Sequence, residues 1–487
     1  MRRNLTDLSA VAVVTAIRNG ELKAEDYARA LLERAQHLES LNAFRTLDPQ
    51  MVLEAARDAD KTRASGAVLG ALHGLPIPVK DSVNSKALPT SNGTGALRDF
   101  RPRDDAGVLK SLLAQGAILM GKTNLHELSY GWTSNNGIFG AVHNPYEPTR
   151  VPGGSSGGSA VAVAARMAPV AVAEDTWGSI RVPASMCGLA GLRPSFGRYP
   201  DDGIMPLTDG KFDQVGALAR CVADLALFDA VVAGERTPLR PTPLRGTRIG
   251  ISPSLLSDLD PEVERITTAA FHKLRAAGVT LVEAELPEAV KAASGPVSTI
   301  LGYETMPAIT AFLQAQGTGV TFEQLLQQAS ESMQGTLKAH ALAANRPTKD
   351  AYEAALTQRL RIREEICQYF EQHRLIALAF PPVLVPPPPI GEEAQVTIRG
   401  QQVSLLVAMG RNTALGSCAS MVGLVLPAGM TSTGLPVGLE FDALKGSDRT
   451  LLSLGLSLEK VLGPIPAPST GSGGHGKRLL DCARRRF

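Results

Sequence analysis

The sequence predicts an α/β protein built on one β-sheet with helices on both faces. Segments typical of strands alternate with segments typical of helices along most of the 487 residues, as in proteins with a mixed or parallel sheet. Hydrophobic residues make up 44% of the chain and charged residues 20%, which is the balance of a globular protein. The composition therefore excludes disordered and fibrous classes.

The first elements are predicted to be helices. Residues 7–62 carry apolar positions at helical spacing, most regularly in segments 23–38 and 49–61. Thr6 or Asp7 stands where a capping residue would begin the first helix.

From residue 75 the hydrophobic period changes to that of strands. Apolar runs of strand length occur at residues 75–79, 117–120, 168–173, 248–252, 279–285, 375–380 and 434–441. Helical patterns between them occur at residues 108–115, 261–277, 349–372 and 448–461. This alternation is the basis of the predicted sheet.

Two regions differ from the rest of the chain. Residues 285–410 contain Gln- and Ala-rich helical segments and two proline runs, and we interpret them as a helical insertion that packs over the sheet and forms one wall of a substrate pocket. Residues 469–487 begin rich in Gly and Ser and end in three arginines, so we expect a flexible, solvated tail.

Charge and cysteine usage limit the classes of partner. Lys and Arg number 49 against 47 Asp and Glu, so no strong field exists to attract nucleic acid or an anionic membrane. The five cysteines show no metal-binding spacing, and no apolar segment is long enough to cross a bilayer. The N-terminus also lacks the apolar run of a signal peptide. We expect a cytoplasmic protein without a bound metal.

A glycine cluster is the first candidate functional motif. Residues 152–159, PGGSSGGS, lead into a helix-forming segment but lack the lysine of a phosphate-binding P-loop. The cluster formally matches the G-x-S-x-G nucleophile elbow, which would need a later histidine as base. None of the later histidines has a typical context for that role: His272, His340, His373 and His475. The turn-rich residues 146–152 also replace the expected strand, so this interpretation has little support.

A second serine-bearing loop follows at residues 174–181, EDTWGSIR. Ser155 and Ser179 each stand in a turn that runs into a helix, which places a hydroxyl beside exposed backbone N–H groups. A nucleophile and an oxyanion hole are the components of acyl transfer. Lys80 ends the apolar run 75–79 and is the candidate base, because burial lowers the pKa of a lysine.

Five motifs together resemble the amidase signature family. They are GLPIPVKD at 74–81, GKTNLHEL at 121–128, GGSSGGS at 153–159, DTWGSIRVPA at 175–184 and CGLAGLRP at 187–194. The length alone would favour about three domains. The resemblance instead implies one large α/β/α domain over residues 1–468, with a central mixed sheet of many strands, core motifs in 74–194 and a variable part at 285–410.

The resemblance also implies a catalytic triad and no cofactor. Ser179 would be the nucleophile that forms an acyl-enzyme, Ser155 the bridging serine after a cis peptide bond, and Lys80 the base. The oxyanion hole would consist of the backbone N–H groups of Thr176, Trp177, Gly178 and Ser179. Trp177 departs from the family, which usually has a small residue there. It could narrow the acyl site, stack on an aromatic substrate or impair activity, and the sequence leaves these alternatives open.

Among its subfamilies, the chain is most similar to stand-alone amidases of the indoleacetamide or mandelamide hydrolase type. Ser129, Tyr130 and Trp132 fall where the family lines its substrate site, so we expect a small aromatic amide as substrate. Aryl acylamides, carbamates and ureides remain alternative substrates. The protein could also form a homodimer. An amidotransferase component that works in a complex on misacylated tRNA is less favoured, because that subfamily has Asp where His126 stands. A non-catalytic binding protein blocked by Trp177 is the third class.

Overall fold

The centre of the molecule is one mixed β-sheet. The structure is a computed structural model that describes residues 4–342, 345–392 and 394–469. The strands within these residues are β1 Phe44–Leu47, β2 Pro76–Lys80, β3 Ile118–Thr123, β4 Asn135–Asn136, β5 Gly140–Ala141, β6 Val170–Asp175, β7 Ala190–Arg193, β8 Gln214–Ala219, β9 Arg248–Ile251, β10 Thr280–Glu283, β11 Ala377–Phe380, β12 Gln395–Ile398, β13 Gln401–Ser404, β14 Val422–Met430 and β15 Pro436–Ala443.

Eleven of these described strands form the central sheet, in the order β1-β3-β2-β6-β8-β7-β14-β15-β11-β9-β10. Strand β2 runs parallel to β3 and β6, and β9 runs parallel to β10 and β11, whereas the other neighbours are antiparallel. The remaining strands pair as two small hairpins, β4–β5 and β12–β13. The predicted α/β class with a mixed sheet is confirmed.

Helices surround the sheet. In the described residues they are α1 Ala10–Asn19, α2 Ala24–His37, α3 Pro49–Ala64, α4 Gly107–Ala114, α5 Gly157–Ala164, α6 Arg181–Met186, α7 Val222–Val232, α8 Pro253–Leu256, α9 Pro261–Ala276, α10 Glu288–Lys291, α11 Ser294–Ala315, α12 Phe322–Gln327, α13 Glu331–His340, α14 Lys349–His373, α15 Leu405–Gly410, α16 Ala414–Cys418 and α17 Asp448–Leu462. Short 3₁₀ helices lie at Leu5–Asp7, Glu39–Leu41, Gly95–Leu97 and Glu127–Ser129.

Strand β6 shows that both faces of the sheet are covered. Val170 and Val172 belong to one apolar cluster, and Ala171 and Ala173 belong to another. Because successive side chains of a strand point to opposite faces, the two clusters lie on opposite sides of the sheet. All six residues of β6 are buried, which explains why its sequence is a continuous apolar run up to its last two residues.

Several sequence-based assignments need correction. The segment 7–62 is not wholly helical, because β1 interrupts it as a half-buried strand at the edge of the sheet. Ser9, rather than Thr6 or Asp7, caps α1, since its side chain accepts a hydrogen bond from the N–H of Ala12. The hairpin β12–β13 lies inside the region expected to be helical.

Strands β7, β8 and β14 were not predicted from the sequence. β7 and β8 are short and rich in Ala and Gly, and β14 contains a proline, so none carries a strong strand signal. The predicted tail falls almost wholly outside the described residues, as do His475 and Cys482.

The arrangement of β2 and β6 positions the candidate site. These parallel neighbours meet at Val79 and Val172, so their carboxyl ends lie at the same edge of the sheet. β2 ends at Lys80 and β6 ends at Asp175. The loop before α5 carries Ser155 to this edge, which unites motifs that lie far apart in the sequence.

Candidate active site

Lys80 and Ser155 form the centre of the site. Lys80 is completely buried, and its Nζ lies 2.6 Å from Ser155 Oγ and 3.0 Å from Glu174 Oε1. Burial lowers the pKa of Lys80 more than the charge of Glu174 raises it, so the net pKa lies below the ordinary value. A lysine in this condition loses its proton more readily than one in water.

The loop that carries Ser155 is held by close backbone packing. The peptide bond between Gly154 and Ser155 is cis, as the resemblance implies. A Cβ added to Gly154 would lie 2.8 Å from the carbonyl carbon of Trp132 and 2.9 Å from the amide nitrogens of Thr133 and Ser134. Only glycine fits this contact, because a Cβ does not approach backbone atoms so closely.

Asp175 orders the loop that carries Ser179. Its carboxylate accepts hydrogen bonds from the N–H of Gly178 at 2.8 Å and of Ile180 at 3.0 Å, and it pairs with Arg181 and Arg193. Gly178 has a φ of +95°, a conformation that favours glycine. The carboxylate therefore fixes the backbone on both sides of Ser179.

A hydrogen bond joins the two serine loops. The N–H of Ser156 donates to the carbonyl oxygen of Ser179 at 3.3 Å, and Ser156 Oγ donates to the carbonyl oxygen of Glu174 at 3.0 Å. The structure thus brings Lys80, Ser155 and the Ser179 loop together, as the motif pattern indicated.

The four predicted oxyanion donors differ in their hydrogen bonds. The N–H of Gly178 donates to Asp175 at 2.8 Å in this geometry, and its role in the oxyanion hole stays a prediction. The backbone N–H groups of Thr176, Trp177 and Ser179 have no acceptor within the described part of the chain. These three residues also line the same cavity.

That cavity is mainly apolar. Its lining is Ser129, Tyr130, Gly131, Trp132, Thr176, Trp177, Ser179, Leu207, Ser298, Leu301, Thr336, His340 and Leu406. Ser129, Tyr130 and Trp132, expected to line the substrate site, therefore share a cavity with Ser179. Helices α11 and α13 supply Ser298, Leu301, Thr336 and His340, so part of the region 285–410 lines this cavity.

Trp177 is a structural part of the cavity wall. Its side chain is only 4% exposed, and its Nε1 donates to the carbonyl oxygen of Gly410 at 2.7 Å. Trp132 packs edge-to-face against it with ring centroids 5.4 Å apart, and Trp132 Nε1 donates to the carbonyl oxygen of Trp177 at 2.6 Å. Trp177 is not among the residues with positive φ, so its backbone does not need glycine.

Comparison with protein families decides the class of the molecule. A family model described as Amidase matches residues 26–452. The chain belongs to the amidase family. It is an enzyme, an amidohydrolase that cleaves an amide C–N bond.

Relatives of this amidase extend over nearly its whole length. An indoleacetamide hydrolase of Agrobacterium vitis is 34% identical over 448 residues, covering 91% of this chain and 95% of the relative. A mandelamide hydrolase of Pseudomonas putida is 33% identical, covering 96% and 94%. The A-type component of a glutamyl-tRNA(Gln) amidotransferase of Chloroflexus aggregans is 35% identical, covering 93% and 96%.

A solved structure has the same fold as the amidase. The peptide amidase of Stenotrophomonas maltophilia superposes with a TM-score of 0.82 at 28% sequence identity. The match covers 96% of this chain and 99% of that one. It confirms the large α/β architecture.

Glu174 and Asp175 were not recognised as site residues from the sequence. Both are carboxylates at the end of the otherwise apolar strand β6, and both are fully or almost fully buried. Acidic residues are rarely buried unless they are paired, so two of them at the end of a buried strand were the available signal. Lys80, the partner of Glu174, lies 94 positions away in the sequence, so only the fold brings the two into contact.

The geometry of the described residues supports neither a histidine base nor a metal centre. Within the described residues, neither His272, His340 nor His373 forms a hydrogen bond with Ser155 or Ser179. The described chain contains no group of three or more His, Cys, Asp or Glu arranged to hold a metal ion. None of its helices is both long and apolar enough to cross a membrane.

Proposed function

We propose that the amidase hydrolyses a small aromatic amide through an acyl-enzyme on Ser179. The observation that supports this most strongly is the contact of 2.6 Å between buried Lys80 and Ser155 beside the Ser179 loop. A buried lysine that is hydrogen-bonded to one serine beside the loop of another is suited to move protons without a histidine or a metal.

In the proposed mechanism, neutral Lys80 accepts a proton from Ser155, which accepts one from Ser179. Ser179 Oγ then attacks the carbonyl carbon of the amide, and the oxyanion is stabilised by the free N–H groups of Thr176, Trp177 and Ser179. The C–N bond breaks as Ser155 passes a proton to the leaving nitrogen. A water molecule, deprotonated along the same route, hydrolyses the ester and restores Ser179.

The chemistry of the cavity favours an aromatic acyl group. Tyr130, Trp132 and Trp177 provide aromatic surface beside Ser179, and Leu207 and Leu301 add aliphatic surface. Flat apolar groups gain most from burial between such side chains. The names of two relatives, indoleacetamide hydrolase and mandelamide hydrolase, agree with this substrate class.

The same geometry leaves aryl acylamides, carbamates and ureides as alternative substrates, because they present a similar carbonyl. The amidotransferase function is supported by a relative at 35% identity. Its substrate glutamine carries an ammonium and a carboxylate, which need charged or strongly polar partners. The described lining of this cavity contains no Asp, Glu, Lys or Arg, which favours a neutral substrate.

We further propose that the enzyme acts on its small-molecule substrate in the cytoplasm without nucleic acid. A net charge of +2 supports the absence of a nucleic-acid partner. The four cysteines described are all unpaired, which fits a reducing compartment.

The test is a panel of aryl amides, anilides, carbamates and L-glutamine, assayed with the purified wild type and with Ser179→Ala. We expect turnover of aryl amides by the wild type and a loss of at least about a thousandfold in Ser179→Ala. Turnover of glutamine in preference to aryl amides would favour the amidotransferase function. Activity that persists in Ser179→Ala would overturn the mechanism.

A further inference from the structure

Glu174 occupies an unusual position between the candidate base and a second cavity. Its side chain is 2% exposed, and Oε1 forms an ion pair of 3.0 Å with Lys80. The other carboxylate oxygen, Oε2, is buried and has no hydrogen-bond partner in the structure. A buried carboxylate oxygen without a partner is costly, so its environment needs an explanation.

The second cavity supplies that environment. Its lining is Glu174, Asp201, Ile204, Pro206, Thr208, Gly210, Asp213, Gln214 and Val215. Asp201 and Gly210 are exposed, so the cavity reaches the molecular surface. It shares no lining residue with the cavity that contains Ser179. Glu174 therefore contacts Lys80 on one side and a separate cavity that opens to solvent on the other.

Two other carboxylates act on Lys80, but neither touches it. Asp175 is paired with Arg181 and Arg193, which offset its charge. Asp213 accepts hydrogen bonds from the N–H of Leu207 and Thr208 and from the hydroxyl of Thr176. Glu174 is thus the carboxylate in direct contact with the lysine.

We propose that Glu174 sets the protonation state of Lys80 and thereby the acid limit of the enzyme's activity. This inference rests on the proposed role of Lys80 as base. In the resting enzyme the pair is Lys80 ammonium with Glu174 carboxylate. Loss of one proton from the Lys80 ammonium to water breaks an N–H bond and leaves the neutral amine that Ser155 needs, and the Glu174 carboxylate opposes this loss. The second cavity gives Glu174 access to water while substrate fills the first.

The direction of the pH effect follows from the ion pair. A carboxylate beside an ammonium raises the pKa of the ammonium by about one to three units. Removing the charge of Glu174 should therefore lower the pKa of Lys80 further and increase its neutral fraction in acid. The acid limb of activity should move to lower pH by about one unit or more, so that the variant is faster than the wild type there.

The experiment measures the pH dependence of Ser179 labelling by a fluorophosphonate in the wild type, Glu174→Gln, Glu174→Asp and Asp201→Asn. Labelling reports activation of the serine and needs no knowledge of the natural substrate. Asp201→Asn is the matched control, since it removes the same charge from the same cavity without touching Lys80. Glu174→Asp keeps the carboxylate and provides a second variant if Glu174→Gln does not fold.

We expect the acid limb of Glu174→Gln to shift to lower pH, that of Asp201→Asn to remain unchanged and that of Glu174→Asp to stay nearer the wild type. If Glu174→Gln does not fold, a smaller shift to lower pH in Glu174→Asp, whose shorter side chain holds its charge farther from Lys80, together with an unshifted limb in Asp201→Asn supports the proposal. Labelling of Ser179 with an acid limb that no Glu174 variant shifts would overturn the inference alone. Absence of labelling in the wild type would overturn the proposed function and the inference with it.

Discussion

At the scale of single residues, Trp177 is the feature that gives this amidase its individual cavity. Its ring is fixed by the hydrogen bond to Gly410 and by the contact with Trp132. A Cβ on Gly410 would lie 3.2 Å from the Trp132 ring and 3.4 Å from the Trp177 ring, so glycine there makes room for both indoles. Trp177 is therefore packed as a wall and does not close the cavity, because Ser179 still lines it.

Replacing Trp177 tests this role. Trp177→Ala should enlarge the acyl cavity and shift preference towards bulkier acyl groups, while the lost packing lowers the free energy of unfolding by about 3–5 kcal/mol. The measurements are denaturant unfolding and kcat/KM across acyl groups of increasing size.

Trp177→Phe is the matched variant. It retains most of the ring but removes the hydrogen bond from Nε1 to the carbonyl oxygen of Gly410, which still accepts one from Thr413 Oγ1 at 3.2 Å, so the cost should be about 0.5–1.5 kcal/mol. Its size preference should resemble that of the wild type. An unchanged profile in Trp177→Ala would contradict the assignment of this ring to the acyl wall.

The triad positions were predictable from the sequence, whereas their carboxylate neighbours were not. Lys80, Ser155 and Ser179 stand in short motifs whose residue types and local spacing indicate the catalytic role. The contacts of Glu174 with Lys80 and of Asp175 with Arg193 depend on how the strands are arranged in the sheet, and strand order is not encoded by spacing along the chain. The position of the Trp177 ring in the cavity wall likewise depends on its hydrogen bond to Gly410, which lies 233 positions away in the sequence.

At the scale of elements, the junction between β6 and α6 carries the nucleophile loop. Burial raises the pKa of Asp175, but the charges of Arg181 and Arg193 outweigh it and hold the pKa well below its usual range. The carboxylate is therefore ionised at neutral pH and can hold the N–H groups of Gly178 and Ile180. The loop geometry depends on this buried ion network.

Asp175→Asn should disrupt both stability and labelling of Ser179. Removing one partner of a buried ion network costs about 3–5 kcal/mol, and the loop loses a charged acceptor. Because the folded pKa of Asp175 is depressed, its contribution is present above the unfolded pKa and is lost as pH falls through the folded one. The stability difference between wild type and variant should therefore persist at about pH 5 and shrink only below about pH 4.

Glu440→Gln serves as the control, because Glu440 also pairs with Arg181 but does not contact the loop. Burial and the neighbouring Asp442 raise the pKa of Glu440, so this side chain is more easily protonated than Asp175. Replacing it by Gln should therefore remove less negative charge from the ion network than replacing Asp175 by Asn. Glu440→Gln should keep Ser179 labelling. Equal loss of labelling in both variants would show that the loop does not depend on Asp175 in particular.

Long elements with regular periods were predicted better than short ones. The helices α9, α14 and α17 begin and end within one or two residues of their expected bounds. Strand β1 was missed because four residues between two amphipathic helices give too little pattern to separate a strand from a helix. The hairpin β12–β13 was hidden in the same way within a region of mainly helical composition.

At the scale of the whole molecule, the described chain supplies every residue named in the site. The sheet edge provides Lys80 and the Ser179 loop, and helices α11 and α13 provide the opposite wall of the cavity. The proposed chemistry therefore needs no second chain.

Dilution of the purified enzyme tests whether a single chain is sufficient for activity. Specific activity on an aryl amide should remain constant as protein concentration falls from micromolar to nanomolar, because one chain supplies all the site residues described above. Light scattering at the upper concentrations gives the oligomeric state in parallel. A fall in specific activity that follows dissociation of an oligomer would contradict the prediction.

Detection of the covalent intermediate tests directly whether hydrolysis proceeds through an acyl-enzyme on Ser179. The amidase is mixed with a slowly deacylating aryl substrate, quenched in acid and analysed by intact and peptide mass spectrometry, with Ser179→Ala treated identically. We predict a mass increase equal to the acyl group on the peptide that contains Ser179, and none in Ser179→Ala. Hydrolysis without an adduct on Ser179, or an adduct on another residue, would contradict the proposed mechanism.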